Sequence, residues 1–138
     1  MANILVIDDD PAVRTTIRLV LEREGHTVKL ATDGLAGMKA IKAGGIDLLI
    51  VDIFMPGMDG IETIREVRQH QPDLPAIVIS GTSIGGVQAP GLGAPDFLAM
   101  AVKLGAVRSL QKPFRPRDIL AAVSQCLGEA KEKQIRTG

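Results

Sequence analysis

Three four-residue aliphatic runs constrain this chain more than any other feature: Ile4-Leu5-Val6-Ile7, Leu48-Leu49-Ile50-Val51 and Ala76-Ile77-Val78-Ile79. Each is too short for an ordinary helix, is rich in β-branched residues and never alternates with polar ones. That pattern describes strands covered on both faces, as in a parallel sheet between two layers of helices. Helix-like segments separate the runs. After Asp10 and Pro11, which suit a helix cap and first position, Val13, Ile17, Val20 and Leu21 fall on one face, and Gly25 ends the segment.

The same reading predicts strands over Asn3–Asp8, His26–Ala31, Asp47–Val51, Leu74–Ser80 and Ala106–Leu110. Helices are expected over Gly34–Ala43, stopped by Gly44-Gly45, over Ile61–His70 with Ile61, Ile64 and Val67 inward, and over Arg117–Leu127. Strands alternating with helices of these lengths imply right-handed crossovers and a doubly wound α/β sheet of five parallel strands. Gly81–Pro95 breaks the rhythm. It is Gly- and Pro-rich, reads as a long loop that is functional or mobile, and leads into a short helix over Phe97–Leu104. Residues 1–128 are expected to form one domain, and 129–138 a polar tail that frays or extends the last helix.

Bulk properties narrow the function classes. With 138 residues the chain suffices for one ordinary domain. Its 16 basic and 16 acidic side chains cancel, which gives no electrostatic footprint for nucleic acid or a membrane surface. No apolar stretch approaches the roughly 20 residues that span a bilayer, and no signal-peptide pattern opens the chain. A single cysteine, Cys126, precludes an internal disulfide and sets a reducing, cytoplasmic expectation. On its helix Cys126 reads as a small core residue; His26 and His70 have no metal-ligand spacing and read as structural.

The chemistry lies at the ends of the strands. Asp8, Asp9 and Asp10 follow the first run and Asp52 follows the second. Asp10 alone reads as a helix cap. Asp8, Asp9 and Asp52 would meet at the carboxyl edge of the sheet, where open α/β folds bind ligands. At ~5 Å and an effective dielectric of ~20, each ionised pair repels by about 3 kcal/mol, so such a cluster persists most naturally around a cation. Mg²⁺, a hard ion that keeps several waters, suits Asp9 and Asp52 as direct ligands, Asp8 through water, and the Phe54 carbonyl. Asp52 would keep an oxygen poised for attack on phosphorus. Ser80 after the fourth strand and Lys112 after the fifth would supply a hydroxyl and a cation at the same edge.

Four motifs in order then resemble a known family: Val6-Ile7-Asp8-Asp9-Asp10, Val51-Asp52-Ile53-Phe54-Met55-Pro56-Gly57-Met58-Asp59-Gly60, Ile79-Ser80-Gly81 and Lys112-Pro113-Phe114. They look like the receiver domain of bacterial two-component response regulators, over about Ala2 to Leu127. With no output domain following, the resemblance is to a stand-alone, single-domain regulator. It implies a flavodoxin-like (βα)₅ fold with strand order 2-1-3-4-5. It implies that Asp52 accepts a phosphoryl group from phosphohistidine on a sensor kinase or phosphotransfer protein. Asp8 and Asp9 match the Mg²⁺-binding acids, Ser80 the switch hydroxyl and Lys112 the phosphoryl-contacting lysine. Phosphorylation would then alter a partner-binding face formed by the fourth helix, fifth strand and fifth helix. The chain would be a monomer or weak dimer, catalysing no reaction but its own phosphorylation and dephosphorylation.

Three departures from the family pattern carry expectations. Ser109 stands where an aromatic switch residue is common. The loop after Ser80 is longer than usual by roughly ten residues, and is expected to carry the signal by an order–disorder change. Phe54 replaces a commonly polar residue, and slow self-dephosphorylation is expected. Competing readings are weaker. A phosphatase of the haloacid-dehalogenase type needs a second acid two residues after its nucleophile, where Phe54 stands. A flavin-binding protein needs a phosphate cradle in the first turn, where this chain has acids. A non-phosphorylated interaction module of the same fold remains the main alternative.

Overall fold

The computed structural model describes residues 2–53, 60–80, 106–111 and 114–137. Phe54, Lys112, the 81–95 segment and the expected helix over 97–104 lie outside the described residues. In chain order the elements are β1 (Asn3–Ile7), α1 (Pro11–Arg23), β2 (Thr27–Ala31), α2 (Gly34–Ala43), β3 (Leu48–Asp52), α3 (Gly60–His70), β4 (Ala76–Ser80), β5 (Ala106–Gln111) and α4 (Pro116–Thr137). The strands form one parallel sheet in the order β2-β1-β3-β4-β5. This is the doubly wound α/β fold and strand order expected from the sequence.

Pleating sorts the aliphatic runs onto two faces. Leu5, Ile7, Leu49, Val51 and Val78 pack with Met38 and Ile41 of α2 and with Ile64 and Val67 of α3. Ile4, Val6, Leu48, Ile50, Ile77 and Ile79 face the other way, onto Ile17 and Leu21 of α1 and Ile119, Val123 and Cys126 of α4. The central strand β3 is buried at every residue. Unbroken aliphatic runs are required there because neither face meets water, and each buried Leu or Ile stabilises by about 1.5–3 kcal/mol. The edge strand β2 instead exposes Thr27 and Lys29. At the other edge the β4–β5 register shifts between Ala76 and Ile77, so Ala76 pairs with Ala106 and Ile77 with Arg108.

Helix ends follow local chemistry. Asp10 caps α1 by accepting from the Ala12 N–H at 2.9 Å, with Pro11 at the first helical position. Asp33 caps α2 through the Ala36 N–H at 2.8 Å. Gly44 closes α2 at φ 88°, a left-handed backbone that a side chain would strain. The α4 backbone continues helical to Thr137, so of the two readings of the tail the extended helix is the one adopted. No helix among the described residues is long and apolar enough to cross a membrane.

Candidate functional site

The acid cluster follows from strand register. Ile7 of β1 pairs with Val51 of β3, so the next residues, Asp8 and Asp52, end adjacent strands at the carboxyl edge. Carboxylate oxygens of Asp8, Asp9 and Asp52 all lie within 4.8 Å of one another. Asp8 is 0% and Asp52 3% exposed, whereas Asp9 is open to solvent. Two of the three negative charges are therefore held away from water, where their repulsion is least screened.

Backbone and side-chain bonds fix the cluster from several sides. The Asp8 N–H donates to the Ala31 carbonyl at 3.2 Å, tying it to β2. One Asp8 carboxylate oxygen, Oδ1, accepts from the Asp10 N–H at 2.9 Å. Arg14 Nη1 donates to the Asp8 carbonyl at 2.7 Å, so a guanidinium on the first turn of α1 braces the end of β1. On the other side of Asp52, the Ile53 N–H donates to the Ile79 carbonyl at 2.9 Å. The Gly60 N–H donates to the Ile53 carbonyl at 3.0 Å, closing the connection between β3 and α3.

The remaining sequence candidates sort by position. Asp52 pairs with Ile79 across β3 and β4, so the backbone of Ser80 lies one residue beyond the level of Asp52 at the same edge. Ser80 in turn pairs with Gln111, the residue before Lys112. The Ser80 side chain, Lys112 and the Phe54 carbonyl lie outside what is described. Asp10 belongs to the cap, as expected. Ser109 is exposed on β5. Neither histidine joins the cluster: His26 Nδ1 accepts from the Ala2 N–H at 3.2 Å, at the start of β1. Cys126 is buried in the core beside α1.

Sequence reasoning missed Arg14 and Gly60. Arg14 carried a faint signal, since it stands one helical turn after the Asp10 cap and its N–H donates to the Asp10 carbonyl. Gly60 stands in the Val51–Gly60 motif that carries the resemblance, but nothing there signalled a close approach of backbones.

The donor set fits a hard divalent cation. Three carboxylates offer only oxygen, two of them are buried, and their spacing suits one octahedral ion bound directly or through its waters. Soft or nitrogen-preferring metals would find no thiolate or imidazole among these groups.

The comparisons with known proteins agree with this geometry. The sequence pattern of the response regulator receiver domain matches residues 4–124. The response regulator MprA of Mycobacterium avium is 34% identical over 133 residues, which cover 92% of this chain and 58% of that protein. The chain thus spans little more than half of that relative. A CheY-like receiver domain from Methanospirillum hungatei superposes with a TM-score of 0.84 at 26% identity, covering 96% of this chain and 98% of the other. The chemotaxis protein CheY4 of Vibrio cholerae gives 0.80 at 26% identity, over 92% and 99% of the two chains. Joined to an acid cluster at the ends of β1 and β3 in a 2-1-3-4-5 sheet, these likenesses establish that the chain belongs to the response regulator receiver domain family.

Proposed function

We propose that this chain is a phosphoacceptor signalling domain in which Asp52 takes a phosphoryl group from a phosphohistidine. The observation that carries the reading is the convergence of Asp8, Asp9 and Asp52 within 4.8 Å at the ends of two adjacent strands. An Asp52 oxygen attacks phosphorus, and the P–N bond breaks with its electron pair passing to the imidazole, which takes up a proton. Asp8, Asp9, Asp52 and the Phe54 carbonyl would hold Mg²⁺, which would offset the charge developing on the phosphoryl oxygens. Burial of Asp52 limits water around the acyl phosphate, and Arg14 keeps the end of β1 in place.

Ser80 contacts the phosphoryl group as the switch hydroxyl and Lys112 pairs with its oxygens. The donor is a sensor histidine kinase or a histidine phosphotransfer protein, and a downstream protein binds the altered face. Residues 1–128 act as the receiver unit with 129–138 as an extension of it, working in the cytoplasm as a monomer or weak dimer. Its only catalysis is its own phosphorylation and dephosphorylation.

Intact-mass spectrometry after incubation with acetyl phosphate and Mg²⁺ tests the reading. One added phosphoryl group is expected, absent in Asp52→Asn and absent with EDTA. No gain under any condition would favour a non-phosphorylated interaction module.

A further inference from the structure

Gly60 opens α3, although glycine is a poorer helix former than alanine. Its backbone does not demand glycine: the positive-φ glycines among the described residues are Gly25, Gly44 and Gly45. The demand is for space. A Cβ at position 60 would lie 2.6 Å from the Cα of Ile53 and would press on the carbonyl oxygen of Asp52. Both obstacles are backbone, so no rotamer change relieves them. The same peptide is held from the opposite side by the bond from the Ile53 N–H to the Ile79 carbonyl at 2.9 Å, and the Gly60 N–H grips the Ile53 carbonyl at 3.0 Å.

We infer that Gly60 is a positioning residue for phosphoryl acceptance: its bare backbone lets α3 clamp the Asp52–Ile53 peptide against β4 and so aims the Asp52 carboxylate at Asp8 and Asp9. This rests on the reading of Asp52 as the acceptor. A side chain at position 60 shifts the peptide that carries Asp52, and a displacement near 1 Å costs roughly 100-fold in a reaction that depends on alignment. Gly37 on α2 provides the contrast. A Cβ there would crowd Ile7, reaching 2.9 Å from its Cγ1, but Ile7 presents a side chain that can turn.

The test compares wild type, Gly60→Ala and Gly37→Ala. Two quantities are read: the labelling rate with acetyl phosphate and Mg²⁺ per folded molecule, and the rise in thermal unfolding midpoint caused by Mg²⁺ alone. Both variants are expected to melt earlier. Gly60→Ala is expected to label roughly 100-fold more slowly and to lose most of the Mg²⁺-dependent rise, whereas Gly37→Ala keeps both. Labelling of Gly60→Ala at the wild-type rate overturns the inference, as does an equal loss in Gly37→Ala. If Gly60→Ala stays unfolded even in trimethylamine N-oxide, which strengthens burial, the contact serves the fold and the inference is overturned. Failure of the wild type itself to label removes the reading of Asp52; normal labelling of both wild type and Gly60→Ala removes the inference alone.

Discussion

Ile7 and Val51 sit opposite each other in the β1–β3 register, and from that pairing Asp8 and Asp52 emerge side by side. Parallel strands in register deliver their next residues to the same edge, so two carboxylates follow two unbroken aliphatic runs into a common rim. The aliphatic runs and the acid site are parts of one device. Burial on both faces fixes the register, because a one-residue slip would move every core side chain to the opposite face.

That arrangement costs stability without a cation. Asp52→Asn removes a buried negative charge beside Asp8 and is expected to stabilise the metal-free protein by roughly 1–3 kcal/mol. It also weakens the Mg²⁺-dependent gain of the wild type. Urea unfolding of both proteins in EDTA and in Mg²⁺ checks the two halves; a variant less stable than wild type in EDTA would contradict the first.

Arg14 is the hydrogen-bonded brace of the Asp8 carbonyl. Arg14→Met keeps much of the aliphatic stem and removes the donor. A loss of about 1–2 kcal/mol is expected, together with a weaker response to Mg²⁺. Denaturation in EDTA isolates the first effect, and titration with Mg²⁺ the second. An unchanged Mg²⁺ midpoint would confine Arg14 to stability.

His26 gives the fold a pH dependence remote from the acids. Burial, aided by the positive charge of the N-terminus and opposed by Glu24, lowers its pKa from the usual 6.5. Its neutral Nδ1 also accepts from the Ala2 N–H, a bond that protonation destroys. The unfolded chain therefore binds the proton first as pH falls. The contribution is complete above about pH 6.5 and is lost on acidification through the lower folded value. Urea midpoints at pH 7.5 and 5.5 should differ more for wild type than for His26→Gln, with wild type the weaker at the acid end relative to neutral pH.

Arg68 ties the end of α3 to the start of β4 by donating to the carbonyls of Gln71 and Leu74. Arg68→Met leaves the Leu74 carbonyl to water or unsatisfied, while the Gln71 carbonyl keeps the Leu74 N–H, and a loss of about 1–3 kcal/mol is expected from chemical denaturation. Labelling by acetyl phosphate should persist, since this link lies at the opposite end of α3 from Gly60.

Phe54 stands two residues after the proposed acceptor. Phe54→Asn is expected to shorten the lifetime of the phosphorylated form, followed by intact mass after removal of acetyl phosphate. An unchanged lifetime would show that bulk at position 54 does not exclude the hydrolytic water.

Much of this was legible in the sequence because local rules agreed with the global fold. The aliphatic runs gave both the strands and their burial. Asp10 with Pro11 and Gly44 with Gly45 gave helix ends. The four motifs gave the order of the sheet, which periodicity alone does not contain. Two features were hidden for physical reasons. The Arg14 contact to the Asp8 carbonyl depends on how α1 lies on β1, and a charged residue on a helix usually points to solvent. The crowding at Gly60 depends on backbone approach between α3 and β3, and a glycine needed for space looks in sequence like one needed for a turn.

The most direct measurement locates the acyl phosphate. Protein treated with acetyl phosphate and Mg²⁺ is reduced with borohydride, which converts an aspartyl phosphate to homoserine, and the peptides are sequenced by mass spectrometry. Homoserine at position 52, and only in samples containing Mg²⁺, is the result predicted here. Homoserine at position 8 or 9, or at none of the three, would contradict Asp52 as the phosphoacceptor.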